Sequence, residues 1–532
     1  MFIRVKPSGP RKYLQVVENR RDGGTTRQRV VATLGRLDRL EAEGDLDSLA
    51  KSFARFSTKV RIVEGHRSGR LRAGELRRIG PAIVIERLWR ELGIGRVLAG
   101  ELREREFGFS VERAVFLTVL HRLFASGSDR AREKWKRDYR VEGADSLSLH
   151  QLYRAMAWLG ESKDAVEGSL FAATRDLFTE LDMVFFDTTS IYFEGGGGET
   201  LGAYGHSKDH RPDLVQMIVG ACLDGEGRPV SCELWPGNRA DAKALVPAVD
   251  RLRERFGITK AAVVADRGMI SKETVSDLEE RGLGYILGAR MRSVKEVRLD
   301  VLSRAGRYRE VHPNLRVKDV TVDGRRYVVC LNPEEAEHDR ADREAILASV
   351  EEALKKGPKA LVGNRGYRRY LAAGKGAFEI DRAKVEEEAR YDGKFVLRTN
   401  LEMDAGEVAA KYKQLWRVER AFRTVKSVIE TRPIYHKCDE TILGHVFCSF
   451  LALLVMHEMD SRLRARGLVL EWEDVKRDLE ALSEVEVFDG ADAYWLRTEF
   501  VGVTGKVFQA LGIAAPPTCR PANPPRPGRE AV

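Results

Sequence analysis

Within residues 411–437, KYKQLWRVERAFRTVKSVIETRPIYHK, one carboxylate stands among cations. Tyr412, Glu419 and Lys426 are seven residues apart, two helical turns each, so all three project from nearly one face of a helix. Trp416 and Arg423 flank Glu419, and Arg417, Arg420, Arg423 and Lys426 surround it with positive charge. The run predicts one long helix ending near Thr431, because Pro433 cannot continue a helix and restrains the residue before it. Two readings stay open for this stretch alone. One is a solvated helix laced with ion pairs; the other is a metal-binding carboxylate inside a phosphate-binding groove.

Two upstream carboxylates bear on that choice. Asp187 closes the apolar run of LDMVFFDTTSIYFEG, and Asp266 opens the Asp-Arg-Gly that follows the apolar strand Ala261 to Ala265. Together with Glu419 they make three carboxylates from distant parts of the chain. Phosphodiester cleavage uses such a cluster, because oxygen ligands hold Mg2+ and two ions about 3.5–4 Å apart can clamp the attacking and leaving oxygens. Mn2+ can take the same ligands. Without cations, three carboxylates in one pocket repel one another.

The elements that must deliver these groups follow from pattern. After Leu181 come a strand bearing Asp187, the strands VQMIVGACLD and PVSCELWPGN joined by a turn at Asp224-Gly225, and a helix from Asp241 to Phe256. The strand before Asp266 is next, then a helix capped by Ser271 and a fifth strand, Tyr285 to Ala289. Three strands in a meander followed by alternation with helices is the order of an α/β, ribonuclease-H-like sheet. There the first and fourth strands lie side by side, which places Asp187 and Asp266 at adjacent positions. The predicted core comprises residues 181–290 and 401–465, interrupted by a β-rich insertion over 291–400 that reads as a surface module. The tetraglycine Gly195 to Gly198 lacks the Lys-Ser/Thr of a phosphate-cradling loop.

Outside the core, residues 1–72 read as a basic β-hairpin and linker, 73–180 as a helical DNA-binding region, 466–515 as a helical region and 516–532 as a disordered proline-rich tail. The net charge is +9, and residues 1–72 hold 17 Lys and Arg against 8 Asp and Glu, so the other 460 residues balance. That asymmetry points to a polyanion at the N-terminal end. KYLQVVEN and RQRVVATLG form the hairpin, with Gly23-Gly24 at its turn and Arg20, Arg21, Arg27 and Arg29 crowding the tip. The tip either rides on DNA phosphates or is a plain exposed turn. Trp135 and Tyr139 in the basic stretch 126–140 suit either backbone contacts or a solvated helix face.

Six cysteines without a CxxC pair suit a reducing cytoplasm, and the N-terminus has no apolar signal core. The longest apolar run, Val446 to Met456, is too short to span a bilayer, so no membrane partner is expected. His206 and His210 lie in a predicted loop rather than on a zinc-binding helix; Asp182, Asp209 and Asp213 read as solvated, and Asp241 as a turn and cap residue.

DTTS at Asp187, ADRG at Asp266, PGNRAD at 236–241, Y-x6-E-x6-K at Tyr412, Glu419 and Lys426, and RPIYH at 432–436 occur together in this chain. In this the chain resembles bacterial insertion-sequence transposases of the DDE type, in the branch with an inserted β domain and a tyrosine–arginine–glutamate–lysine signature. The resemblance covers roughly residues 180–465, and the N-terminal hairpin is similar to one subgroup. Leu415 stands where the signature arginine belongs, and Arg417 is its nearest substitute. The resemblance implies Asp187, Asp266 and Glu419 as catalytic metal ligands, with Tyr412, Trp416, Arg417, Arg420, Arg423 and Lys426 on DNA. It implies double-stranded DNA partners, transposon inverted repeats and target, a homodimer in the synaptic complex, and cut-and-paste cleavage and strand transfer. A ribonuclease-H-like nuclease without strand transfer and a non-catalytic DNA-binding regulator are the alternatives.

Overall fold

The computed structural model describes residues 2–22, 25–54, 69, 71–103, 105–174, 182–257, 261–356, 366–373, 378–490 and 492–522. The chain forms two compact units, residues 1–77 with 482–499 and 516–532, and residues 78–481 with 500–515.

In the first unit, β1 (Phe2–Ser8), β2 (Arg11–Asp22) and β3 (Thr25–Arg36) make an antiparallel sheet in that order. The expected hairpin is therefore the β2–β3 pair, with Arg20 opposite Arg27 and Glu18 opposite Arg29. Its glycine turn, Gly23-Gly24, lies outside the described residues. A second sheet joins β4 (Leu71–Arg78) to β16 (Ser483–Asp489), β17 (Asp492–Arg497) and β18 (Cys519–Pro521), in the order β18-β17-β16-β4. This corrects the sequence reading at both ends. The expected helical 466–515 contains a hairpin at Asp489-Gly490, where Gly490 takes φ +67°. Residues 519–521 of the expected disordered tail pair with β17.

The second unit is mixed α/β. Nine strands form one sheet: β5 (Met183–Tyr192), β6 (Gln216–Leu223), β7 (Pro229–Pro236), β8 (Ala262–Ala265), β9 (Tyr285–Ala289), β10 (Arg309–His312), β11 (Leu315–Val322), β12 (Arg325–Leu331) and β15 (Lys394–Thr399). Their order is β10-β11-β12-β15-β9-β8-β5-β6-β7. A separate two-stranded ribbon pairs β13 (Leu371–Ala373) with β14 (Phe378–Ile380). As expected, the first and fourth strands of the core, β5 and β8, run parallel side by side.

The apolar runs explain the packing. Val184 and Phe186 of β5, Val263 of β8 and Leu287 of β9 bury against Leu245, Val249 and Leu252 of helix Leu245–Phe256 and Val275 and Leu278 of helix Lys272–Glu280. Ser271 caps the latter helix through Thr274 N at 3.0 Å, as expected.

The insertion is not a detached module. β15 pairs antiparallel with β9, Val396 opposite Ala289, so β15, β12 and β11 continue the core sheet. Val320, Tyr327, Val329 and Val396 share a buried cluster with Ala289, Val297 and Val301. β9 would otherwise expose an unpaired edge, which sheets avoid by covering it. The insertion's polar composition belongs to the exposed helix Pro333–Lys356.

In the N-terminal part, Gly93 (φ +71°) separates helix Gly80–Glu91 from helix Ile94–Glu101. Trp135 stacks on Tyr139 at 3.8 Å between ring centroids, and Tyr139 is fully buried, so its ring packs internally. Helix Asp439–Ala465 is long and apolar enough by length and composition to cross a membrane, unlike the shorter run read from sequence. Of its most apolar window, 78% is buried within the protein. It crosses helix Leu149–Glu161 at Gly160 and Gly444: a Cβ on either would stand 1.9 Å from a backbone carbonyl oxygen, of Glu440 and Met156 respectively.

Candidate active site

The parallel pairing of β5 and β8 ends at Phe186 opposite Ala265, so Asp187 and Asp266 occupy the next position on each strand. β8 stops there, whereas β5 continues, paired with β6 alone. Asp187 therefore sits within its strand, not at its end, at the point where the neighbouring strand turns away. Burial pushes its carboxyl up to about 6, with Asp266 and Asp241 adding repulsion, while Lys208 and the Thr188 N–H oppose the shift.

Asp266 and Glu419 line one cavity of about 640 Å³, together with Arg267, Gly268, Arg290, Lys394 and Tyr412. Tyr412 donates to Asp266 Oδ1 at 2.9 Å and stacks on Phe395 at 6.0 Å. Burial first, then Asp266, raises the tyrosine hydroxyl well above its ordinary value, so it remains a donor. Gly288 of β9 makes room for this contact: a Cβ there would be 2.4 Å from Tyr412 Oη and 2.9 Å from Arg267 N. Arg290 secures the Asp266 turn, donating to the carbonyls of Arg267 (3.0 Å) and Gly268 (3.1 Å).

The helix carrying Glu419 differs from expectation. The predicted single helix is two, Ala405–Lys413 and Trp416–Ser427, with a tight turn in which Arg417 N reaches Gln414 O (2.9 Å) and Val418 N reaches Leu415 O (3.0 Å). Leu415 is buried at this turn, which suits an apolar side chain rather than the signature arginine. The second helix ends at Ser427, before Thr431; Glu430 takes φ +47° on the way to Pro433. Tyr412 and Glu419 thus meet the cavity from two helices packed on different strands, the first over β11, β12, β9 and β8 and the second over β5 and β6.

Val418, Ala421, Phe422 and Val425 bury one face of the second helix, and Trp416, Glu419, Arg420 and Arg423 are exposed on the other. Trp416 is 51% exposed, so it is not a core residue. Arg420 stands 3.8 Å from Asp460 at the surface. Arg417 turns away and donates to the Gly225 carbonyl in the β6–β7 turn. Lys426, expected to meet a phosphate, is mostly buried and pairs with Asp209 at 2.6 Å, where Arg432 also binds. Asp209 is therefore a buried ion-pair partner and not a solvated residue. Arg29 is exposed and 3.7 Å from Glu18; the side chains of Arg20, Arg21 and Arg27 lie outside the described residues.

Sequence reasoning missed several residues of the site. Asp241, read as a cap, accepts from Thr188 Oγ1 (2.7 Å) and pairs with Lys208 (3.1 Å). Arg267 and Lys394 bring positive charge to the cavity. A glycine inside a β-strand, Gly288, was a legible mark of close approach.

The donor set is oxygen only, and Asp187 and Asp266 adjoin with incomplete compensation, which suits a hard divalent cation. Among the described residues, no three His, Cys, Asp or Glu side chains are gathered closely enough to hold a metal as they stand. The third expected carboxylate, Glu419, lines the same cavity as Asp266 without joining such a cluster.

The family profile of the transposase DDE domain matches residues 179–455. That of the N-terminal domain of IS1634 family transposases matches residues 3–64. No curated protein matches the chain. Among solved structures, the cryo-EM structure of a piggyBac transposase synaptic complex with hairpin DNA is similar at 10% identity and a TM-score of 0.36, covering 75% of this chain and 79% of that one.

Proposed function

The chain belongs to the transposase DDE domain family and is a DNA transposase, and on that premise we propose that Asp187, Asp266 and Glu419 are its catalytic carboxylates. What supports this reading is the placement of Asp187 and Asp266 at adjacent positions of two parallel strands, with Asp266 and Glu419 on one cavity. In this reading the order β7-β6-β5-β8-β9 is a ribonuclease-H-like sheet, extended by the insertion.

Asp187 and Asp266 would hold Mg2+, with Glu419 as the third donor. Bound there, magnesium would supply activation of water and neutralisation of phosphate charge. The chain's own groups do the rest. Tyr412 holds Asp266 in one orientation through its hydroxyl. Arg267 and Lys394 offer positive charge to a phosphate in the cavity. The exposed Trp416 can stack on an unpaired base, and Arg420 and Arg423 extend the same face along the DNA backbone. Lys426 acts through Asp209, fixing the end of the helix, and Arg417 anchors that helix to the β6–β7 turn. The arginines of the β2–β3 hairpin are assigned to phosphates of the transposon end. Water attacks phosphorus at each end and frees a 3′-hydroxyl, which then attacks a target phosphodiester; each step exchanges one P–O bond for another. Joining two ends calls for a homodimer.

The test uses a duplex ending in the element's own inverted repeat, with Mg2+. Native protein is expected to release 3′-hydroxyl ends and join them to target DNA. Asp187→Asn, Asp266→Asn and Glu419→Gln should each lower cleavage by at least about a hundredfold while retaining DNA binding. Undiminished cleavage in any of them overturns that residue's role. Cleavage without joining of pre-cut ends favours a nuclease instead.

A further inference from the structure

The segment between β5 and β6 returns to β5 one residue past Asp187 and sets one ammonium against Asp241. Lys208 Nζ lies 3.1 Å from Asp241 Oδ2, and donates to the Thr188 carbonyl (2.7 Å) and to Thr188 Oγ1 (2.8 Å). Thr188 Oγ1 in turn donates to Asp241 Oδ1 at 2.7 Å. The Lys208 backbone N–H donates to Ser190 Oγ at 2.8 Å, so main chain and side chain both fasten this segment to β5. Asp187 is the residue before Thr188, and among the groups acting on its carboxyl Lys208 is the strongest that favours the charged form.

Asp266 and Asp241 both repel the Asp187 carboxyl, where burial raises the cost of like charges. A folded chain without metal needs a positive charge there. Lysine supplies it as a point charge on a flexible stem, able to leave without moving the strand. Its side chain is 28% exposed, so it has somewhere to go.

We propose that Lys208 is the resident counter-cation of the site: its ammonium compensates Asp187 and Asp241 in the metal-free protein and is the group that a divalent cation displaces on entering. This rests on the reading of Asp187 as a metal-binding carboxylate. It predicts two effects of opposite sign. Removing the Lys208 charge destabilises the metal-free fold and tightens metal binding. A lysine that merely tethers the segment to β5 would give the first effect without the second.

The experiment titrates DNA-free full-length protein with Mn2+ by calorimetry, alongside unfolding with and without Mn2+. Lys208→Met and Lys208→Gln should bind Mn2+ about tenfold more tightly than native protein, with lower melting temperatures in chelator. Lys208→Arg should stay near native affinity. The glutamine amide can still donate to the Thr188 carbonyl, which favours a folded neutral variant. A second measurement needs no variant: saturating Mn2+ should raise the acetylation of Lys208 in native protein, read by mass spectrometry. Native Mn2+ binding that Asp187→Asn abolishes, with neutral variants binding no tighter or Lys208 acetylation unchanged by Mn2+, overturns the role of Lys208 and leaves the carboxylate reading intact. Absence of Asp187-dependent Mn2+ binding in native protein overturns the carboxylate reading and this proposal with it.

Discussion

Asp187 carries the main electrostatic tension of the site. Its carboxyl is raised to about 6, above the unfolded value of about 3.9. The metal-free native state therefore holds the proton more tightly than the unfolded chain, and folding bears a cost that is absent below about pH 4 and complete above about pH 6. In chelator, Asp187→Asn should stabilise the protein by about 2–3 kcal/mol at pH 7.5 and by almost nothing at pH 4. Urea unfolding at the two pH values measures this, and an equal effect at both would contradict it. Tyr412 offers a second residue-level check. Tyr412→Phe keeps the ring on Phe395 but removes the hydrogen bond to Asp266. Cleavage should fall about tenfold, in kcat more than in DNA affinity, consistent with roughly 1–1.5 kcal/mol for one hydrogen bond.

At the scale of elements, the site depends on where strands stop and helices break. β8 ends one residue before Asp266, and the tight turn at Gln414-Leu415 lets Tyr412 and Glu419 approach from different helices. Heptad spacing in the sequence could not reveal that break, because Gln414 and Leu415 are ordinary helix formers; burial of Leu415 decides it. The crossing of helices Leu149–Glu161 and Asp439–Ala465 is similarly intolerant. Gly444→Ala would press a methyl group onto the Met156 carbonyl, and should cost about 1–3 kcal/mol or more, seen as a lower denaturant midpoint. An unchanged midpoint would mean that the helices do not cross so closely.

For the whole molecule, charge is distributed by sequence position: the N-terminal 72 residues hold the net excess of positive charge. Deleting residues 1–64 removes the β1–β3 sheet and leaves β4 in place. Binding to a transposon-end duplex should weaken, and the slope of log affinity against log salt should fall by about 0.9 for each phosphate that the hairpin neutralises. Fluorescence anisotropy across a salt series tests this; a slope identical to that of the full chain would remove the hairpin from the DNA interface.

The strand order around Asp187 and Asp266 was legible in the sequence, because alternating apolar runs and turn residues report local structure directly. So was the Ser271 cap, a short-range hydrogen bond. The fate of Lys426, Arg417 and Asp209 was not: a charged side chain's partner is chosen by whatever the fold brings within reach, here residues about two hundred positions away. For the same reason Lys208 and Asp241 became part of the site only in three dimensions. The attachment of β15 to β9 was also a tertiary decision, since an uncovered strand edge has no signature in its own residues.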